Sequence, residues 1–338
     1  MPEPIGVAMV GTGMWGQRLA EAVQRTPSLR LISCYSRHQE GREAFAARFG
    51  CQASPDLETV LADPKIAGVL LVTPNAAHRA GAEACARAGK GIFLEKPIAD
   101  DIQDAQAIAL ACAQAGVTLL VGHAFRRLGA SRKVRVLLEE GALGQVVLVE
   151  ANFSLPGTFT PDKWRAYRET CPGGPLMQLG VHHADTLQYW LGPVTRVQGT
   201  FAHLAVPADI DDVGVALLEF ESGVRGVLTG SYVSPKTYDL RLYGTQAVLE
   251  YHVDMSIWPQ AERMDAATSL RLRTRDGDTP VPFEPHDMLV EELDEFARCL
   301  RTGAEPETGA PQALAALDVI TGALAAYQSE RAKPGARQ

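Results

Sequence analysis

The chain reads as an α/β protein: a doubly wound parallel sheet comes first, and an open, largely antiparallel sheet follows. Three observations carry this. Short, wholly apolar runs alternate with helical patterns through the first third, as strands buried on both faces require. A glycine-rich turn joins the first such run to the first helix. Beyond about residue 144 the apolar runs lengthen and partly alternate, the mark of strands with one covered face.

Taken in order, residues 5–10 (IGVAMV) predict a strand and 16–24 a helix. LRLISCY at 29–35 is a second strand, and 39–49 is helical. IAGVLLV at 66–72 is another buried strand, followed by an alanine-rich helix over 76–88. IFLE at 92–95, a helix at 101–115 and VTLLVG at 117–122 complete this block. A helix at 131–140 stops at Gly141. Strands are then predicted at 145–153, 194–204, 212–220, 224–233, 238–243 and 246–252, with a hairpin turn at Gly223. A helix from about 174 to 191 interrupts them, and helices at 286–302 and 309–330 close the chain. The expected division is one domain at 1–122 and a second at 123–338, with the C-terminal helix packing back on the first.

The composition narrows the function. In 338 residues, 46% are hydrophobic and 21% charged, which excludes disordered and low-complexity classes. A net charge of -8 with no basic stripe argues against nucleic acid as a partner. No run of 18 apolar residues argues against a membrane partner. The start, Met1-Pro2-Glu3-Pro4, lacks a basic segment and cleavage site. Cysteines at 34, 51, 85, 112, 171 and 299 form no Cys-x-x-Cys pair, so reduced thiols in a cytoplasmic protein are expected. No local spacing supplies three metal ligands, so no metal is expected.

Gly11, Gly13 and Gly16, with Met14 and Trp15 between them, have the G-x-G-x-x-G spacing in the strand–turn–helix context that gives this motif meaning. Gly11 allows the turn, Gly13 admits a pyrophosphate and Gly16 lets the helix pack closely, with the helix N-terminus facing the phosphates. The tip of the second strand reads Tyr35-Ser36-Arg37-His38 and carries no carboxylate to hold a ribose 2'-hydroxyl. Ser36 and Arg37 suit a 2'-phosphate, which favours NADP(H), with NAD(H) the alternative. Thr73, Pro74, Asn75 and His78 follow the third apolar strand, where cofactor contact and helix capping are both open. Glu95-Lys96-Pro97 ends the next strand, on the side where open sheets bind ligands, and Lys96 can hold or protonate a substrate oxygen.

The segment GGPLMQLGVHHAD at 173–185 places Gln178, His182 and Asp185 on one face of an ideal helix, with His183 about 100° away. A histidine suits a reaction in which a hydroxyl proton leaves or arrives. Trp164 and Arg165, in the loop 162–168, and His123 and Arg126, after the strand at 117–122, are further candidates for substrate contact.

These segments together resemble the Gfo/Idh/MocA oxidoreductase family over about residues 5–330: GTGMWG at 11–16, TPNAAH at 73–78, EKP at 95–97, and GGPLMQLGVHHAD. The resemblance implies an N-terminal Rossmann fold and a C-terminal α/β domain built on an open, largely antiparallel sheet, whose face makes homodimers or homotetramers. It implies Lys96 and His182 as catalytic residues, with hydride exchanged between NAD(P) and a carbinol or ketone carbon of a sugar, cyclitol or related polyol. The family's aspartate is replaced by Gln178, an amide that orients but carries no charge. NAD-assisted glycoside hydrolysis, and a non-catalytic dinucleotide-binding regulator, stand as alternatives. Retention of both Lys96 and His182 argues against the regulator.

Overall fold

A computed structural model describes residues 3–160 and 163–332 of the chain. Met1, Pro2 and Asp162, read above from sequence, lie outside the described residues. The chain divides into two compact units, 1–124 with 288–314 and 125–287 with 315–338.

The first unit is built from β1 (Ile5–Val10), α1 (Met14–Arg25), β2 (Leu29–Tyr35), α2 (Gln39–Phe49), β3 (Gln52–Ala53), α3 (Leu57–Ala62), β4 (Gly68–Leu71), α4 (His78–Arg87), β5 (Gly91–Leu94), α5 (Ile102–Ala115) and β6 (Leu119–Val121). Its sheet is parallel, in the order β3-β2-β1-β4-β5-β6. The order reverses between β1 and β4, which is where such sheets bind dinucleotides. The centre of the sheet is apolar on both faces: all four residues of β4 and of β5 are buried. Asp101 starts α5 by accepting the Asp104 N–H at 2.8 Å, and Gly116 ends it.

The second unit contains α6 (Gly129–Glu139), β7 (Val146–Ser154), α7 (Val181–Leu191), β8 (Val194–Ala202), β9 (Val213–Phe220), β10 (Arg225–Ser231), β11 (Thr237–Gly244), β12 (Val248–Val253), β13 (Thr268–Thr274) and β14 (Gly277–Pro280). The eight strands run β14-β13-β12-β11-β7-β10-β9-β8. All neighbours are antiparallel except β7 and β10, so the sheet is mixed. One face holds the core residues Phe153, Leu218, Leu228, Tyr238, Leu240 and Tyr251. The other carries ion pairs such as Arg273–Glu250 (2.8 Å) and Arg196–Glu219 (3.2 Å), with Leu217 exposed among them. Strands β9 and β10 alternate rather than offering a wholly apolar surface.

Two helices follow: α8 (Met288–Thr302) and α9 (Ala310–Arg331). The sequence assigned 123–338 to one domain, but 288–314, with α8, belong to the first unit. Phe296 meets Phe93 edge-on at 6.0 Å. The strands β4 and β5 begin with glycine for a steric reason. A Cβ on Gly68 would lie 2.9 Å from the Phe296 ring, and one on Gly91 would lie 2.2 Å from Leu300 Cδ2. Helix α9, with 22 residues, is long and apolar enough to cross a membrane by length and composition alone. Gln312, Asp318 and Thr321 interrupt its apolar residues, so a search for unbroken runs passes over it. Leu317, Ile320 and Ala323 are buried, and a Cβ on Gly199 of β8 would lie 2.6 Å from the Ala323 carbonyl oxygen.

Candidate functional site

In the first unit the glycine turn connects β1 to α1. Gly11 has φ +106°, and a Cβ there would lie 2.1 Å from the Val72 carbonyl oxygen. A Cβ on Gly16 would lie 2.1 Å from the Gly11 carbonyl oxygen. At Gly13, by contrast, a Cβ would meet nothing within 4 Å. The protein's own packing requires the first and third glycines, whereas the second faces open space beside the N-terminus of α1. Met14 is exposed and Trp15 half-buried.

Glu95 is buried and accepts a hydrogen bond from the Trp15 indole through Oε1, and the Lys96 N–H bonds its Oε2 at 3.2 Å. The glutamate therefore ties the glycine turn to the end of β5, where half-buried Lys96 precedes a cis peptide bond to Pro97. His78 acts as a similar tie. Its Nδ1 lies 3.1 Å from the Pro97 carbonyl oxygen and its Nε2 3.0 Å from that of Thr73. Burial pushes this imidazole below its ordinary pKa. Cofactor contact and helix capping were both open for His78; its two ring nitrogens lie against backbone carbonyls, and it ties the loop residues Thr73, Pro74 and Asn75 to the end of β5. Asn75 Nδ2 donates to Asp100 Oδ1 at 2.8 Å, a partner the sequence did not reveal. Burial pushes the Asp100 carboxyl up to about 6, with the Asn75 bond opposing. Thr73 Oγ1 is buried without a protein partner.

At the tip of β2, Thr12 Oγ1 donates to Ser36 Oγ at 2.9 Å, which joins the glycine turn to this tip. Arg37 is exposed, and Arg42 Nη1 donates to the Ser36 carbonyl at 3.0 Å. Arg42 is a second cation at this edge that sequence spacing did not single out. His123 is buried, 1% exposed, at the end of β6.

In the second unit, residues Leu176–Gly180 form a π-type turn ahead of α7, in which the Val181 N–H bonds the Leu176 carbonyl five residues back. The ideal-helix spacing between Gln178 and His182 therefore does not hold, because the wider turn changes the phase between them. Gln178, His182, His183 and Asp185 are all buried. His182 lies 4.5 Å from the Phe125 ring and His183 4.5 Å from Tyr238, with Phe153 within 6 Å of both histidines.

Asp185 and Arg126 were expected to bind substrate. The structure pairs them with each other: Arg126 Nε donates to Asp185 Oδ2 at 2.8 Å and Nη2 to Oδ1 at 2.5 Å, both side chains being buried. The pair ties α7 to the segment after β6. Trp164 is half-buried, with the exposed Arg165 guanidinium 4.8 Å over its ring.

Residues 5–123 match the oxidoreductase family with the NAD-binding Rossmann fold, and residues 131–250 match the GFO/IDH/MocA C-terminal domain. The chain belongs to the Gfo/Idh/MocA family. As a member of it, the protein is 27% identical to the D-xylose 1-dehydrogenase [NADP(+)] of Haloarcula marismortui, over 97% of this chain and 92% of that one. Among solved structures, a candidate NADPH-dependent oxidoreductase from Desulfitobacterium hafniense is 36% identical, with 97% of each chain covered and a TM-score of 0.94. The aldose-aldose oxidoreductase of Caulobacter crescentus is 25% identical over 96% of this chain and 98% of that one, with a TM-score of 0.86.

The first unit of this Gfo/Idh/MocA protein fits the NAD(P) that its fold binds. The open space at Gly13 admits a pyrophosphate at a helix N-terminus, and the Thr73 hydroxyl awaits an acceptor or donor. Gly13→Glu should therefore abolish NADPH binding while leaving the fold intact, since a Cβ there meets nothing within 4 Å and the backbone φ of -69° suits any residue. Fluorescence titration of both proteins with NADPH checks this; equal affinities would refute the assignment.

Acid should destabilise the protein through His183. Burial pushes its imidazole from 6.5 down to about 4. As pH falls below 6.5 the unfolded chain takes up a proton that the folded chain refuses until about 4. The stability is thus complete above pH 6.5 and lost between 6.5 and 4, by about 3 kcal/mol. His183→Phe should flatten this acid limb in melting curves recorded from pH 4 to 7. Parallel curves for the two proteins would exclude the effect.

Proposed function

We propose that this protein is an NADP(H)-preferring dehydrogenase or reductase that acts on a carbinol or ketone carbon of a sugar, cyclitol or related cyclic polyol. The observation that carries the reading is the retention of Lys96 and His182 in a chain aligned along nearly its whole length with a D-xylose 1-dehydrogenase. The aldose-aldose oxidoreductase likeness supports the same substrate class.

Bound NAD(P) supplies a nicotinamide that accepts or delivers hydride. The Lys96 ammonium holds the substrate oxygen and stabilises charge that develops on it. His182 takes the hydroxyl proton in oxidation and returns it in reduction. Gln178 orients a substrate hydroxyl without adding charge. Ser36 and Arg37, with Arg42 beside them, favour the 2'-phosphate, since no carboxylate stands at this tip to repel it.

The test is a screen of aldoses, cyclitols and their keto forms, read by absorbance with NADP(H) and NAD(H) in parallel. Turnover of a cyclic polyol with NADP(H) ahead of NAD(H) is the expected result. Arg37→Ala should weaken NADPH about ten-fold and leave NADH nearly unchanged, the loss of one charge-assisted contact. Tighter binding of NADH by the unaltered protein would overturn the preference. Gln178 in place of the family aspartate leaves room for one second reading, NAD-assisted glycoside hydrolysis, in which oxidation and reduction occur within a single turnover. It is told apart by product formation with no net change in cofactor absorbance.

A further inference from the structure

We propose that Trp258 is a stacking platform that selects a ring-shaped polyol, rather than an open-chain one, beside His182. The inference rests on the polyol reading above and narrows its substrate class. Trp258 follows β12 and a short turn, Met255–Ile257, in which Asp254 accepts the Ser256 N–H at 2.9 Å. Its indole lies nearly parallel to Phe125, at 6.3 Å and 23°, and Phe125 is stacked on Tyr238 at 4.9 Å and 15°. Phe153 meets Trp258 edge-on at 5.9 Å and 75°. Three roughly parallel rings thus form a slab with a fourth wedged against its edge. His182 sits on the flank of this slab, 4.5 Å from Phe125.

Exposure distinguishes the members. Phe125, Phe153 and Tyr238 are 2%, 0% and 1% exposed, so no ligand reaches them directly. Trp258 is half-buried and is the ring of the slab that solvent touches. The segment that carries it is anchored a few residues on: Asp265 accepts the N–H groups of Gly129 at 2.5 Å, Ala130 at 3.2 Å and His286 at 2.8 Å. The backbone that follows the indole is therefore tied to the start of α6 and to His286.

The chemistry follows from the indole face, which carries partial negative charge and a broad apolar area. A pyranose or cyclitol ring presents one flat face of C–H groups that bear partial positive charge. Such a face covers an indole, whereas the hydroxyls project from the ring edge toward polar groups. An open-chain alditol offers no face of that size and loses rotational freedom in making one.

The experiment compares wild type, Trp258→Ala and Trp258→Phe on pyranoses, cyclitols and alditols of equal carbon number, at saturating cofactor. Trp258→Ala should raise KM for the ring substrate about ten-fold, with a smaller change in kcat, as expected for loss of one aromatic contact. Trp258→Phe should restore KM to within about three-fold, because a smaller aromatic face remains. Unchanged KM in Trp258→Ala, or equal effects on rings and alditols, would overturn the proposal and leave Trp258 a packing residue. Ligand binding is also read without turnover, as quenching of the fluorescence difference between wild type and Trp258→Phe. If no compound turns over but ring polyols quench this signal, the redox reading fails and the platform stands. If neither rings nor alditols quench it, the platform fails.

Discussion

His182→Ala and Lys96→Met should each lower turnover by about 10²–10⁴-fold while NADPH affinity stays within about two-fold of wild type. In alcohol oxidation the hydride and the hydroxyl proton leave in different directions, so a proton acceptor and a group to hold the oxygen are both needed. His182 is buried against Phe125 and Phe153, which keeps its ring in one orientation. Lys96 follows Glu95, whose carboxylate is bound to the Trp15 indole and the Lys96 N–H, so the backbone that presents the lysine is fixed. Neither substitution removes a group that ties the glycine turn, which is why cofactor affinity should survive. Gln178→Asp is the informative companion. A gain in oxidation would show that the amide only orients substrate, and a loss would show a site rebuilt for other chemistry. Full turnover in His182→Ala would remove this histidine from the mechanism.

Breaking the Arg126–Asp185 pair should be the most destabilising single change near the site. Both side chains are buried and share two hydrogen bonds, so removing one takes a bidentate, oppositely charged partner from the other in the interior. The cost of such a loss is about 3–5 kcal/mol. In a chain of 338 residues that corresponds to a fall in melting temperature of roughly 4–7 °C. Arg126→Met and Asp185→Leu should each show it in thermal denaturation, and the double variant should recover much of the loss because neither charge is then left without the other. Single variants that melt within a degree or two of wild type would contradict a buried, mutually dependent pair.

The elements most easily read from sequence were those whose burial is written locally. The runs at 5–10 and 92–95 are continuous because both faces are covered, and the glycine turn announces itself by its flanks. Strand β3 has two residues, too few to show a period. Strands β13 and β14, TSLRLRT and GDTP, are largely exposed near the sheet edge: the first alternates over only Leu270 and Leu272, and the second has no apolar side chain before Pro280 to alternate. The π-type turn at 176–180 leaves no compositional trace, and it undid the expected register between Gln178 and His182. The site suffered most where contacts are distant in sequence. Arg126 and Asp185 are 59 positions apart, and Phe125, Phe153, Tyr238 and Trp258 come from four separate segments. Each of these residues was visible, but its partner was not.

The placement of α8 bears on how the protein is made. During synthesis the six strands of the first sheet emerge within the first 124 residues, yet the helix that covers Phe93 and fits the glycines at 68 and 91 follows some 160 residues later. A nascent chain that has released only its first block therefore presents an unfinished sheet, with a groove shaped for Phe296 and Leu300 and nothing of its own to fill it. The intervening 125–287 segment must leave the ribosome before the first block can close. An N-terminal fragment cut at residue 124 would inherit the same open groove, so the nucleotide-binding half is defined by two stretches of message rather than one.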